Sequence, residues 1–240
     1  MSDHISRKEL KQDKIRESFE HGAQAVYSHG RLTAMIVGAL VIAALAYGGW
    51  RLYSDRQNVQ ASAMLDEGMR IYSAPVRTGN EPIEPGELSY ADQTAKSQDA
   101  SVKFLAAADK YPNTPAGKLA RYYAALCLED LDRQNQALEQ LKQLDTKGDK
   151  TLSNLAQYQM ATIYARTGKV DEATKLYKTL ADEHSVFVPR PLVLLDMADM
   201  LRNSNPTEAM NLYNQVKKEF PDSTSSDRAD RGLQLLAPKS

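Results

Sequence analysis

The chain has 240 residues, with 30 Lys/Arg against 31 Asp/Glu, a formal net charge of −1 and one cysteine. That balance argues against a basic nucleic-acid surface, and a single cysteine excludes an internal disulfide. With 42% hydrophobic and 25% charged residues the composition is ordinary, so the order of the residues has to carry the reading.

The first element is an N-terminal arm, residues 1–31, of mixed charge. It holds six basic residues (Arg7, Lys8, Lys11, Lys14, Arg16, Arg31) and three of the four histidines, His4, His21 and His29. It is followed by Leu32 to Trp50, 19 residues without a charge. A bilayer-spanning helix needs about 20 such residues. Arg31 and Arg51 bracket the run, and Tyr47, Trp50 and Tyr53 sit at its far end, where interfacial aromatics belong. The reading is a membrane helix over residues 32–53. A cleaved signal peptide is the rival, because Ala44-Leu45-Ala46 fits a small-residue cleavage site. Charge near the span does not set its orientation: Lys14, Arg16 and Arg31 on one side face Arg51, Arg56 and Arg70 on the other. A short arm inside and a long domain outside is the common arrangement for one N-terminal span, and it is adopted here.

Residues 54–98 contain a helix over Arg56–Tyr72 and then a break. Pro75, Gly79, Pro82, Pro85 and Gly86 fall close together, a density no helix tolerates. The break, Ser73 to Gln98, is expected as a flexible insertion between the two helices of one hairpin, with a binding element as the alternative. From residue 99 to the end the chain is expected to be a helical-repeat domain closed by a capping helix over Ser225–Leu236, polar on its outer face.

The repeat is set by an alanine that returns every 36 residues, at Ala137, Ala173 and Ala209. Leu141, Tyr177 and Tyr213 follow each by four; Leu144, Leu180 and Val216 follow by seven. Positions i, i+4 and i+7 share one helix face, and a period in this range marks stacked units. Each segment reads as the second helix of a hairpin. The first helices are expected over Lys118–Asp132, Asn154–Thr167 and Pro191–Asn203. Gly168 is placed to end a helix in the left-handed region. An earlier second helix, Asp99 to Tyr111, ends in Tyr111-Pro112-Asn113-Thr114, which matches Phe220-Pro221-Asp222-Ser223. In each, proline stops one helix and the hydroxyl residue caps the next.

No catalytic constellation is present. Beyond residue 53 His184 stands alone, far in sequence from Cys127, and Cys127 lies mid-helix between Leu126 and Leu128, the setting of a buried structural thiol. No zinc spacing, dinucleotide fingerprint or phosphate loop occurs. The chain is therefore read as a non-enzyme, without cofactor, metal or small-molecule substrate.

The packing alanines, the helix A residues Ala125 and Tyr164, Gly168 in the turn, the helix B aromatics Tyr177 and Tyr213, and the closing Pro112 and Pro221 together resemble the tetratricopeptide repeat. The resemblance implies an all-α fold: a single N-terminal transmembrane helix followed by a superhelix of about three and a half units. Its departures are the missing first-helix tryptophan, the 36-residue period and two turns without glycine. It further implies a concave groove that binds proteins or peptides through residues of the first helices. Carried over residue by residue, these are Leu119, Tyr122, Leu126, Glu129 and Asp130; then Leu155, Tyr158, Thr162, Ala165 and Arg166; then Leu192, Leu195, Asp199, Arg202 and Asn203. Tyr122 and Tyr158 occupy the same place in adjacent units, as a stacked aromatic pair facing a ligand would; packing between hairpins is the alternative.

One N-terminal span, a break and degenerate repeats also resemble a bacterial inner-membrane family of ancillary SecYEG translocon subunits, the YfgM type. That resemblance implies a cytoplasmic N-terminus, a periplasmic repeat domain, and association with translocon subunits and periplasmic chaperones. The other function class is a structural scaffold of an envelope complex, in cell division or outer-membrane assembly.

Overall fold

The computed structural model describes residues 30–77, 88–144 and 148–237. The arm over residues 1–29, with its three histidines, and the centre of the insertion, residues 78–87, lie outside the described residues. The chain divides into two compact units, Met1–Arg56 and Gln57–Ser240. Among the described residues the regular structure is helical, with one isolated bridge between Val76 and Tyr90.

The first helix, α1, runs Gly30–Tyr72. In its N-terminal part Met35, Ile36, Val37, Leu40, Val41, Ile42 and Leu45 are all exposed. The helix is long and apolar enough to cross a membrane. From Gln57 onward the same helix is amphipathic and packs. Met64, Leu65, Met69, Ile71 and Tyr72 lie against α2, Gln93–Lys110, with Phe104 at the centre of the contact. Gly68 permits the approach, since a β-carbon there would come 2.5 Å from the Phe104 ring. Lys103 and Glu67 pair at 2.6 Å, and the Tyr111 hydroxyl donates to Gln60 at 2.8 Å. This stretch of α1 is thus the first helix of the first hairpin.

Three further hairpins follow: α3 (Pro115–Asp130) with α4 (Gln134–Lys142), α5 (Lys150–Arg166) with α6 (Val170–Glu183), and α7 (Arg190–Leu201) with α8 (Pro206–Glu219). A last single helix, α9, spans Thr224–Leu236. The repeat fold read from the sequence is therefore present as four hairpins and a terminal helix.

The helices start earlier than the apolar pattern suggests, because their caps lie about a turn ahead of the first core residue. The side chains of Asp92, Thr114, Asp149, Asn205 and Ser223 accept backbone N–H groups at Ala95, Gly117, Leu152, Glu208 and Ser226, over 2.8 to 3.2 Å. Each satisfies one of the orphan donors of a helix start. The same effect corrects the insertion. α2 begins at Gln93, not at residue 99, so the break ends at Asp92. The polar segment 93–98 is helical because its side chains have partners in neighbouring elements. Gln93 and Ser97 donate to Asp130 at 3.0 and 2.9 Å, and Lys96 reaches the Ala74 carbonyl at 3.2 Å. The two mouths of the insertion are tied as well: Arg77 N–H donates to Tyr90 O at 2.9 Å and Tyr90 N–H to Pro75 O at 3.0 Å.

Ala137, Ala173 and Ala209 are each fully buried, as is Ala100 at the matching place in α2. The first-helix alanines Ala125, Ala161 and Ala198 are fully buried too. Gly168 sits at φ +75°, and Asp132, one period earlier, takes the same left-handed conformation at φ 61°. The two Pro-containing junctions are equivalent in detail: Thr114 and Ser223 both donate to the carbonyl three residues back, Tyr111 and Phe220, at 3.0 and 2.6 Å.

Because Ala173 lies where helices touch, Ala173→Leu should destabilise the repeat unit by about 1–3 kcal/mol through overpacking. Ala91→Leu, at an exposed position ahead of α2, should change stability little. Urea midpoints of the two variants against wild type measure the difference; equal shifts would contradict the packing described here.

Candidate functional site

The residues expected to line a groove separate into two groups. Tyr158, Thr162, Ala165, Arg166 and Asp199 come together in one open cleft of about 390 Å³, joined by Val170, Tyr177, Asp196, Met200 and Arg228. Four helices, α5, α6, α7 and α9, supply these side chains. The floor is aromatic and aliphatic. The Tyr158 and Tyr177 rings meet edge-on, with centroids 6.3 Å apart.

Across this floor runs a continuous polar chain. The Tyr158 hydroxyl donates to one oxygen of Asp196. Arg228 Nη2 donates to the other, at 2.7 Å, and also to Asp199 at 2.5 Å. The Tyr213 hydroxyl donates to the remaining oxygen of Asp199 at 2.5 Å. Every carboxylate oxygen of the pair thus has a donor, and the arginine charge lies between two negative ones. Burial, and then donation to Asp196 and Asp199, push the Tyr158 and Tyr213 phenols well above their ordinary range. Both remain donors throughout the physiological range. The network fixes the Tyr158 ring and joins α5, α7, α8 and α9 at one point.

The remaining candidates lie outside this cleft. Glu129, in α3, is held by Arg166 at 2.9 Å and also accepts from Gln159. Its role in the structure is to tie α3 to α5. Asp130 accepts from α2 as described. Leu119 is exposed near the start of α3; Tyr122 and Leu126 are half-buried on the same helix. Tyr122 packs against the core cluster of Leu128, Leu138 and Leu141, and burial raises its phenol. Its ring partner is Tyr123, at 5.9 Å, whereas Tyr158 meets Tyr177. The stacked pair expected of Tyr122 and Tyr158 is therefore replaced by two separate contacts. Leu155 and Leu192 are half-buried, and Arg202 and Asn203 follow the end of α7, with Asn203 exposed.

Leu195 is a correction. It is buried in the core beside Ala198. A leucine at this place ends inside the core, whereas the longer Tyr158 packs its ring there and carries its hydroxyl out to the cleft. The residue of α7 that meets Tyr158 is Asp196, which the groove pattern missed, as it missed Arg228. A signal was present: Asp196 and Asp199 interrupt an otherwise apolar run, Leu192 to Leu201, three residues apart on one helix face. Such a pair has to meet a cation, and the final helix carries Arg228.

Cys127 is fully buried against Phe104, Ala108 and Ala124, and burial pushes its thiol up to about 12. It stays protonated and unreactive at neutral pH. Among the described residues no group of acidic, histidine or cysteine side chains could hold a metal ion.

Two comparisons bear on this geometry. A family model for a tetratricopeptide repeat-like domain matches residues 27–186, well over half of the chain. The chain belongs to the tetratricopeptide repeat-like domain family. A second model, for the tetratricopeptide repeat itself, matches residues 192–223, the fourth hairpin and its closing proline junction. Among solved structures, a Podosopora anserina chain described as a kinesin light chain with nearly identical TPR-like repeats aligns at 18% identity and a TM-score of 0.49. The alignment covers 59% of this chain and 80% of that one. A single-residue variant of the same protein aligns equally well, over 79% of its length. No curated protein matches the chain.

Arg228→Ala leaves Asp196 and Asp199 facing each other without their cation. Because Arg228 is 37% exposed, water screens part of the loss, and the expected cost is about 1–2 kcal/mol. In an Asp199→Asn background the same substitution should cost less, since one stranded charge is gone. A urea-unfolding double-mutant cycle measures the coupling; additive shifts would show that Arg228 and Asp199 act independently.

Proposed function

We propose that this protein is a membrane-anchored interaction module whose concave cleft, built on Tyr158, captures protein partners. The repeat family provides the coarse part of that statement: such repeats present surfaces to other proteins, and the fold is typically a non-catalytic scaffold. The cleft provides the finer part. It offers a fixed aromatic floor, an opening wide enough for a peptide, and charges of both signs on its walls. Aromatic side chains held in place lose little entropy on binding and carry much of an interface's energy, while paired charges set register. The expected contact set is Tyr158, Thr162, Arg166 and Asp199 in the cleft, extended along the superhelix by Leu119, Tyr122, Leu126 and Glu129 and closed by Arg202 and Asn203.

The anchor is α1, spanning the bilayer from Leu32 to about Tyr53, with the N-terminal arm cytoplasmic and the repeat domain periplasmic in a bacterial inner membrane. Its apolar, exposed N-terminal part supports a span, because about 20 such residues gain more in lipid than in water. In this setting the partners are secreted or envelope proteins emerging at the translocon, the translocon subunits and periplasmic chaperones.

Two experiments test the reading. A span of this length should keep the full chain in the membrane pellet after alkaline carbonate washing. A soluble product starting at Tyr47 would instead establish cleavage after Ala46. For partner capture, a photo-crosslinker is placed at Thr162 of the full-length protein in its native membrane, and the adducts are identified by mass spectrometry. Translocon subunits, nascent secreted chains or chaperones are the expected adducts. Adducts confined to cell-division or outer-membrane assembly proteins would establish the scaffold role instead, and Met200→Arg should abolish capture in either case if the cleft is the site.

A further inference from the structure

The acidic side chains of the concave cleft are all committed within the fold. Both oxygens of Asp196 accept, one from the Tyr158 hydroxyl and one from Arg228 at 2.7 Å. Both oxygens of Asp199 accept as well, from Tyr213 and from Arg228, each at 2.5 Å. Beside the cleft Glu129 is filled in the same way, by Gln159 and by Arg166 at 2.9 Å. On the floor the Thr162 hydroxyl donates to the Tyr158 carbonyl at 3.1 Å. Each of these carboxylate oxygens already has a donor, so an incoming cation finds the acceptors in use.

The cations are placed otherwise. Arg228 spends Nη2 on the two aspartates. Arg166 meets Glu129 through Nη2, and its side chain is 52% exposed where that of Glu129 is 10%. A guanidinium carries five N–H donors, so most of those on Arg166 are left over after that bond. Of this pair it is the positive member that solvent, or a ligand, meets. At the end of α7, Arg202 is half-buried, forms no ion pair among the described residues, and its charge acts on the Tyr213 phenol beside Asp199. Arginines and carboxylates are equal in number here, yet what the site offers outward is positive.

We propose, on the reading that this cleft is the capture site, that it selects internal segments in which a bulky apolar side chain stands beside aspartate or glutamate, the apolar group packing on the floor and a carboxylate meeting Arg166. Tyr158, Ala165, Val170, Tyr177 and Met200 supply the floor, and the bond to Asp196 holds the Tyr158 ring in place before a partner arrives. The apolar group contributes the larger share of affinity, as area removed from water. A carboxylate adds a charge-assisted hydrogen bond to donors that the fold has left over, so no internal bond has to break. A lysine or arginine in the same place finds no free carboxylate, and the Arg166 charge repels it. Because the cleft is open, the chain passes along it, and the carboxylate is that of a side chain rather than of a C-terminus.

The test uses the full chain in non-ionic detergent and fluorescein-labelled peptides with amidated C-termini, read by fluorescence anisotropy. One peptide carries Asp-Glu-Leu-Phe-Glu-Asp; the others replace its acids by Asn and Gln, its acids by Lys, or its Leu-Phe by Ser-Ser. The acidic apolar peptide should bind about tenfold more tightly than each of the others, and its affinity should fall as salt is added. Met200→Trp, which fills the floor without adding charge, should abolish that binding. Arg166→Gln should weaken it about tenfold and bring the acidic and Asn/Gln peptides level. Arg166 also ties α3 to α5, so the melting temperature of that variant is recorded; the peptide series on wild type decides the charge preference without it. If the Asn/Gln or Lys peptide binds as tightly and Met200→Trp still abolishes binding, the cleft stands as the capture site and the acidic preference is overturned. If acidic binding survives both variants, or if no peptide binds, the proposal fails. A free C-terminal acid that lifts the Asn/Gln peptide to the affinity of the acidic one would show that Arg166 reads a chain terminus, and would overturn the internal segment. Failure of the cleft as the capture site shows separately, as adducts at Thr162 that Met200→Arg does not remove.

Discussion

The structure depends on close approach between helices at positions that carry almost no side chain. Ala100, Ala137, Ala173 and Ala209 are fully buried in the second helices, and Ala125, Ala161 and Ala198 in the first. Where a bulky ring fills the space, glycine takes the alanine's part: Gly68 under Phe104, and Gly232, where a β-carbon would lie 2.4 Å from the Tyr213 ring. Small residues let whole faces interlock, and the larger partners, such as Tyr177, Leu180, Tyr213 and Val216, fill the space between units. Once that spacing is fixed, loop lengths and the groove follow from it.

Polar side chains then join one hairpin to the next. Arg121, 6% exposed, donates to the Ala108 carbonyl at 3.0 Å, to Asp109 at 3.1 Å and to Gln140 at 2.5 Å, joining three helices. Glu129 with Arg166, Asp130 with Ser97, and Arg190 with Glu219 make similar links. Each interaction is modest alone, since most involve at least one exposed partner. Their collective effect is on register: a slip of one hairpin against another breaks several at once.

The sequence disclosed what repeats and concealed what is contributed once. The alanine period, Gly168 and the two proline junctions recur, so a single chain carries its own comparison. The Asp132 turn was harder to see, since an aspartate stands where the next unit has glycine. Asp tolerates the left-handed region better than most residues because its short polar side chain can bond locally, so the turn is kept without the glycine. The cleft network was hidden for a different reason. Asp196 and Arg228 occur in one unit each, and their partnership spans 32 residues between helices whose relative rotation no local pattern reveals. Helix starts were misplaced for a third reason: caps are polar and lie ahead of the periodic apolar residues that announce a helix.

The charges of the concave cleft are already committed within the fold. The arginine and both aspartates satisfy one another, so a ligand charge must compete with an existing bond before it gains anything. What is left uncommitted there is aromatic and aliphatic surface, together with the outward side of Arg166, which is 52% exposed even while it holds Glu129. A partner that succeeds in this cleft must bring apolar bulk first and charge second.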